Sequence, residues 1–213
     1  MFSKLAEVSV SAWIALAALV ALAVLLLVIG KGKGRWNAST LAFAALAIAL
    51  SFLLSYIRLY RMPQGGSITP ASMLPLMLFA HAFGVVPGLL AGLVFGVLQL
   101  LQDPVILTPF QVILDYLLGF GLLGLAGIGG QKKNKEKLFF PLGIALASFL
   151  RFLCSVLSGV LFFAEYAGDQ NPLWYSIVYN GSYMLPEALI CIIVALLIGP
   201  RLTKVMRQSA GLR

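Results

Sequence analysis

Residues 85–102 read VVPGLLAGLVFGVLQLLQ, a run without one charged side chain. At 1.5 Å per helical residue it covers about 27 Å, close to the roughly 30 Å of a bilayer's hydrocarbon core. Gly84, Gly88, Gly92 and Gly96 recur every four residues. On a helix they form one smooth stripe where a second helix can approach closely. The run therefore reads as a membrane-spanning helix with a packed face.

The same texture extends outward in both directions. Further apolar segments occupy residues 12–30, 38–57, 70–83, 107–130, 138–166 and 174–200. The segment at 70–83 is short for a full span and reads as tilted or partly interfacial. Of the 213 residues 61% are apolar and only 10% are charged, against about 25% charged in an ordinary soluble domain. Mean hydropathy is +1.01. Too little polar residue remains to coat a soluble core of this size. A globular cytosolic enzyme is excluded, as are disordered and collagen-like chains. Strict period-2 alternation is absent, which argues against a transmembrane barrel. The fold class is all-α: a polytopic membrane protein with short loops, in which residues 1–36 supply an extra N-terminal transmembrane helix and a basic loop, and residues 37–213 the main membrane domain.

The net charge of +8 would suggest nucleic acid in a soluble protein. Its placement here points instead to topology, with no nucleic-acid partner, because basic loops favour the cytoplasmic side. Lys31, Lys33 and Arg35 form one cluster, Lys132, Lys133, Lys135 and Lys137 a second, and Arg201, Lys204, Arg207 and Arg213 a third. Four apolar segments separate the first two clusters and two separate the last two. All three can then lie inside, which puts the N-terminus outside and the C-terminus in the cytoplasm. Lys4, Arg58, Arg61, Glu165 and Asp169 fall on the outer side of this multi-pass chain in the cell membrane. Residues 12–30 read as a span rather than a signal peptide, since no Ala-x-Ala site follows and the basic cluster lies after the apolar run.

Cys154 and Cys191 sit inside apolar runs, and His81 is the one histidine. No CxxC or Cys/His cluster marks a metal site, and no cofactor is expected. The P-loop, HExxH and GxSxG patterns are missing as well, so the chain reads as a non-enzyme. Ionisable residues within spans are costly and draw attention to function. Three stand out: Asp115, Arg151 and Glu187. Counting helical rise puts Asp115 about 12 Å, and Arg151 and Asn180 about 9 Å, below the outer face, all near one level. Glu187 lies deeper, about 20 Å down, follows Pro186, and reads as a kink-associated residue. Arg151, Ser155, Ser158, Gly159 and Phe163 share one helical face; Tyr175, Tyr179 and Tyr183 share another, with Asn180 one residue around. Tyr116 adjoins Asp115. Two readings stay open. One is a structural Asp115–Arg151 ion pair with an interfacial tyrosine belt. The other is a pocket open to the outside, whose carboxylate and aromatic faces suit a flat organic cation.

Four blocks in order carry a family resemblance: GGSITPASMLPLMLFAHAFGVVPGLLAGLVFGVLQ (65–99), PFQVILDYLLGFGLLGLAG (109–127), RFLCSVLSGVLFFAEYAG (151–168) and WYSIVYNGSYMLPE (174–187). Together they resemble the thiamine-specific S components (ThiT/YuaJ-like) of energy-coupling factor (ECF) transporters. The resemblance implies a six-helix, substrate-binding subunit for vitamin uptake that takes thiamine at an outward-facing pocket. It implies partners too: a transmembrane coupling subunit and two ATP-binding cassette ATPases, in keeping with the missing P-loop. The family's acidic-aromatic pair falls on Asp115 and Tyr116, a basic residue on Arg151, a glycine beside the ligand on Gly159, and a tyrosine and an asparagine of the pocket on Tyr175 and Asn180. With Ser155, Phe163 and Tyr179 from the same faces, these form the candidate substrate-binding set. Ala38, Ala42, Ala45 and Ala49 match the alanine-rich surface used against the coupling subunit. Ser155 stands where the family often has histidine. Phe163 stands where it often has tryptophan, and another family tryptophan falls near Met62. These departures leave open a thiamine precursor or another vitamin as ligand. Outside transport, a membrane enzyme or a scaffold is the alternative.

Overall fold

The computed structural model describes residues 37–130 and 136–211. The first apolar segment, the cluster of Lys31, Lys33 and Arg35, and Lys132, Lys133, Lys135 and Arg213 lie outside the described residues. Helix α1 (Ala38–Ser55) starts at Asn37, whose side chain accepts a hydrogen bond from Thr40 N at 2.8 Å, an N-cap that satisfies one of the free amides of the first turn. Thr40, Ala44, Ala47, Ser51 and Ser55 face inward, while Leu41, Leu46 and Leu53 are exposed. Hydroxyls inside and leucines outside suit lipid, where an exposed leucine loses nothing and small residues let helices close up.

After α1 the chain makes a two-stranded antiparallel hairpin, β1 (Tyr60–Arg61) with β2 (Ser67–Ile68). Its turn uses Gly65 and Gly66 at φ +95° and +86°, a left-handed backbone that glycine enters without a Cβ penalty. The 70–83 segment is not interfacial. Its helix α2 (Leu74–Phe83) is about 15 Å long, too short to cross, and all ten residues are buried in protein. Gly84, at φ +106°, breaks the chain between α2 and α3 (Val85–Gln102). The helical glycine stripe therefore begins at Gly88, not at Gly84.

That stripe seats α4 (Pro109–Gly127). A Cβ on Gly92 would run into the backbone of Phe120 and Gly121, and one on Gly96 into that of Tyr116. Helix α4 opens with an α-turn capped by Thr108, becomes a π-helix over Ile113–Leu118, and closes as a 3-10 helix over Leu122–Gly127. Helices α5 (Glu136–Phe162) and α6 (Pro172–Ser209) complete the bundle. Asn171 caps α6 through Leu173 N and Trp174 N, with Pro172 at the first helical position, where no amide is needed. Among the described residues five helices are long and apolar enough to cross a membrane, and α2 is enclosed among them.

The two ends of the bundle differ. At one, Asn37 Nδ2 donates to Ala210 O, and Arg207 donates to Ala82 O at 3.2 Å, to His81 O at 2.9 Å and to Gly130 O. At the other, Arg58 and Arg61 share the Asp103 carboxylate at 3.1 and 3.0 Å. The basic C-terminal turn and the hairpin thus sit at opposite ends of α1 and α6.

Candidate functional site

At the hairpin end a cavity of about 200 Å³ lies between the hairpin, α3, α4, α5 and α6. Asp115 reaches it from the π-helical stretch of α4. A π-turn inserts an extra residue per turn and re-aims side chains, and such stretches gather at functional sites. Gln111 Nε2 donates to Asp115 Oδ2 at 2.6 Å, and Ser158 Oγ donates to the same oxygen at 2.8 Å. Oδ1 carries no hydrogen bond among the described residues. Tyr116, next in the chain, donates through its hydroxyl to Asp103 O and accepts from Val105 N, at 2.9 and 3.0 Å. It fastens the α3–α4 loop to the wall.

Arg151 comes from α5. Its guanidinium carbon lies 4.2 Å from the centroid of the Phe120 ring and its Nη1 donates to the Met73 sulfur. Nε is buried without a partner among the described residues. The ion pair with Asp115, one of the two readings of the sequence, is not present: the ion pairs seen at this end of the bundle are those of Asp103 with Arg58 and Arg61. The two helices instead present a carboxylate and a guanidinium to the same space, each held by neutral groups.

Ser155 and Gly159 lie above Arg151 on the same face of α5, and Phe163 follows its end. A Cβ on Gly159 would collide with Ser176 Oγ, so glycine is what allows α5 and α6 to meet there. From α6, Tyr175 stacks on Tyr179 with ring centroids 5.9 Å apart, and Tyr179 meets Tyr183 edge-on at 6.2 Å. Asn180 Nδ2 donates to Ser176 O at 2.9 Å, and its Oδ1 accepts from Tyr183 at 2.9 Å.

All nine candidate residues, Asp115, Tyr116, Arg151, Ser155, Gly159, Phe163, Tyr175, Tyr179 and Asn180, line this one cavity. The hairpin turn completes it. Gln64 N donates to Tyr179 Oη, which donates to Gly65 O, both at 2.9 Å. Met62 is tied into the turn through Gly66 O and does not line the cavity. Trp174 is exposed and lies outside it as well. Gln111 and Glu187 are among the lining groups that had no place in the sequence reading of the site. Gln111 carried no signal beyond its i, i+4 spacing to Asp115. Glu187 stood out as a buried acid but read as part of a kink; it lines the cavity and accepts from Thr69 N at 2.6 Å and from Ser72 Oγ at 3.3 Å.

Comparison with known proteins follows the same lines. The chain matches the family described as thiamine transporter protein (Thia_YuaJ) over residues 41–207. The thiamine transporter ThiT of Bacillus subtilis is 36% identical over 157 residues, covering 67% of this chain and 81% of that protein. The thiamine transporter ThiT of Lacticaseibacillus paracasei is 30% identical over 136 residues, covering 57% of this chain and 68% of its own length. A solved structure of ThiT from Listeria monocytogenes superposes with a TM-score of 0.69 at 25% identity, covering 78% of this chain and 96% of that one. The match spans α1 to the last turns of α6 and takes in each element that walls the cavity: the chain is a multi-pass membrane protein of the thiamine transporter family, an S component rather than an enzyme.

Proposed function

We propose that this chain binds thiamine from outside the cell and hands it inward together with ATP-hydrolysing partner subunits. The observation that carries the reading is the free Oδ1 of Asp115 in an aromatic-walled cavity. Ionised, Asp103, Asp115 and Glu187 against Arg58 and Arg151 leave the lining at −1, which suits an aromatic monocation such as thiamine. Asp115 Oδ1 then accepts from the ligand or balances its charge. Phe163, Tyr175 and Tyr179 offer ring faces, and Ser155, Asn180 and Arg151 bond polar edges. Tyr116 and Gly159 shape the wall.

The hairpin end is assigned to the outside and the Arg207 end to the cytoplasm, with the N-terminus outside, following the basic clusters. Residues 1–36 are assigned to an additional transmembrane helix and a cytoplasmic basic loop, and residues 37–213 to the binding domain. Ala38, Ala42, Ala45 and Ala49 are all exposed on one face of α1. This low-relief face supports docking of a transmembrane coupling subunit, which joins the chain to two ATP-binding cassette ATPases.

Mass analysis of what co-purifies with the chain in mild detergent, followed by calorimetric titration with thiamine, tests this. Saturable thiamine binding is expected. A different bound heterocycle would keep the transport reading and change its specificity. A well-folded chain that binds no small molecule would overturn the reading in favour of a scaffold.

A further inference from the structure

Glu187 is a second buried acid on the cavity wall, and it is occupied differently from Asp115. Its Oε2 accepts from Thr69 N at 2.6 Å, and its Oε1 accepts from Thr69 Oγ1 and from Ser72 Oγ. Both oxygens are taken, and each donor belongs to one short segment, residues 69–72. Thr69, Ser72 and Glu187 are all buried. A buried carboxylate is costly unless it is hydrogen-bonded, and here one turn supplies all three bonds.

That turn is itself strained. Ala71 sits at φ +61°, a left-handed conformation that costs a residue with a Cβ about 1–2 kcal/mol. Such strain persists only where the surroundings over-determine it. The surroundings here are Ala71 N bonding to Thr69 O at 2.8 Å, Ser72 N bonding to Thr69 Oγ1 at 3.1 Å, and the Glu187 carboxylate. The turn begins where strand β2 ends. Ile68 O accepts from Leu59 N at 2.9 Å, so displacing the turn displaces the hairpin. Tyr179 holds the hairpin's tip and Glu187 its root, two helical turns apart on α6.

We propose that Glu187 is a positioning residue of the binding site: its carboxylate clamps residues 69–72 to α6, fixes the hairpin over the cavity, and so sets how long a ligand stays. This rests on the thiamine-binding reading for the identity of the ligand. The clamp itself does not depend on it. Its role differs from that of Asp115, which offers an oxygen to the cavity, whereas Glu187 acts through the backbone.

The test is Glu187→Gln in the full chain. An amide in place of the carboxylate loses an acceptor and the charge that strengthens the remaining bonds. In the ligand-free protein, hydrogen exchange over residues 59–72 is expected to quicken about ten-fold, the scale of one hydrogen bond to a charged group, with the other helices unchanged. Unchanged exchange in that segment overturns the proposal, and so does a uniform rise across the chain, which would mean ordinary destabilisation. With thiamine as the probe, the off-rate should rise about ten-fold while the on-rate stays within about two-fold. A neutral thiophene isostere of the thiazolium should lose the same factor. A loss confined to the cation would make Glu187 a direct charge partner and overturn the clamp. Thr69→Val keeps the acid but removes one donor to it and the acceptor for Ser72 N; it should shift exchange and off-rate the same way by about ten-fold, and it stands in if Glu187→Gln does not fold. Should wild type bind no thiamine, the substrate reading fails and the exchange data alone decide the clamp.

Discussion

Asp115 and Arg151 face one cavity from neighbouring helices without forming an ion pair. The carboxylate is held through Oδ2 by Gln111 and Ser158, and the guanidinium lies 4.2 Å over the Phe120 ring. An opposite pair brought into contact would neutralise itself. Two charges held apart by neutral groups keep their fields for a third party, and an acceptor oxygen and a donor nitrogen remain on the wall.

The free oxygen of Asp115 sets the first prediction. Asp115→Asn should weaken thiamine binding about ten- to hundred-fold, the scale for losing a hydrogen bond to a charged acceptor, with little change in melting temperature. Calorimetric titration measures it. Wild-type affinity in the variant would remove the carboxylate from the ligand's surroundings.

Gly159→Ala should destabilise the fold by about 1–3 kcal/mol, the usual cost of overpacking, because the new methyl meets Ser176 Oγ and the Ser176 Cβ at 3.0 Å. Gly181→Ala is the matched control on α6, since its nearest neighbour would be Phe152 at 3.9 Å. Thermal melting in detergent should separate the two, with only the first shifted.

Phe163→Trp enlarges the aromatic face at the mouth of the cavity. A gain of about 0.5–1.5 kcal/mol is expected from better ring contact, or about two- to ten-fold in thiamine affinity. Weaker binding in the variant would take Phe163 out of the stacking role.

Ala45→Trp places a bulky ring on the exposed face of α1, on the side opposite the buried Ala44 and Ala47. Thiamine binding by the isolated chain should be unchanged. Co-purification with a coupling subunit and uptake in cells should both fall sharply. Full uptake would place the partner surface elsewhere.

Much of this protein is local and was legible along the chain. Span positions follow from runs of apolar residues. Asp115, Arg151 and Asn180 could be set at one depth because a helix advances by a constant rise per residue. That rise fixes depth alone, and whether they face one cavity was left open by the sequence. The limits are equally physical. Residues 70–83 read as tilted or partly interfacial because hydropathy measures only how apolar a segment is, and protein and lipid are both apolar. The packing of α1, α3, α4 and α6 around it decided that α2 is enclosed in protein.

The sequence by itself determined an all-α membrane bundle, its family, and the residue types available to a cation-binding site. Tertiary structure alone decided who holds whom. Glu187 meets Thr69 across 118 positions and Tyr179 meets Gln64 across 115, while Arg151 finds Met73 and Phe120 instead of Asp115. A buried polar group must find a partner, but which one it finds depends on distances that appear only after the helices have packed.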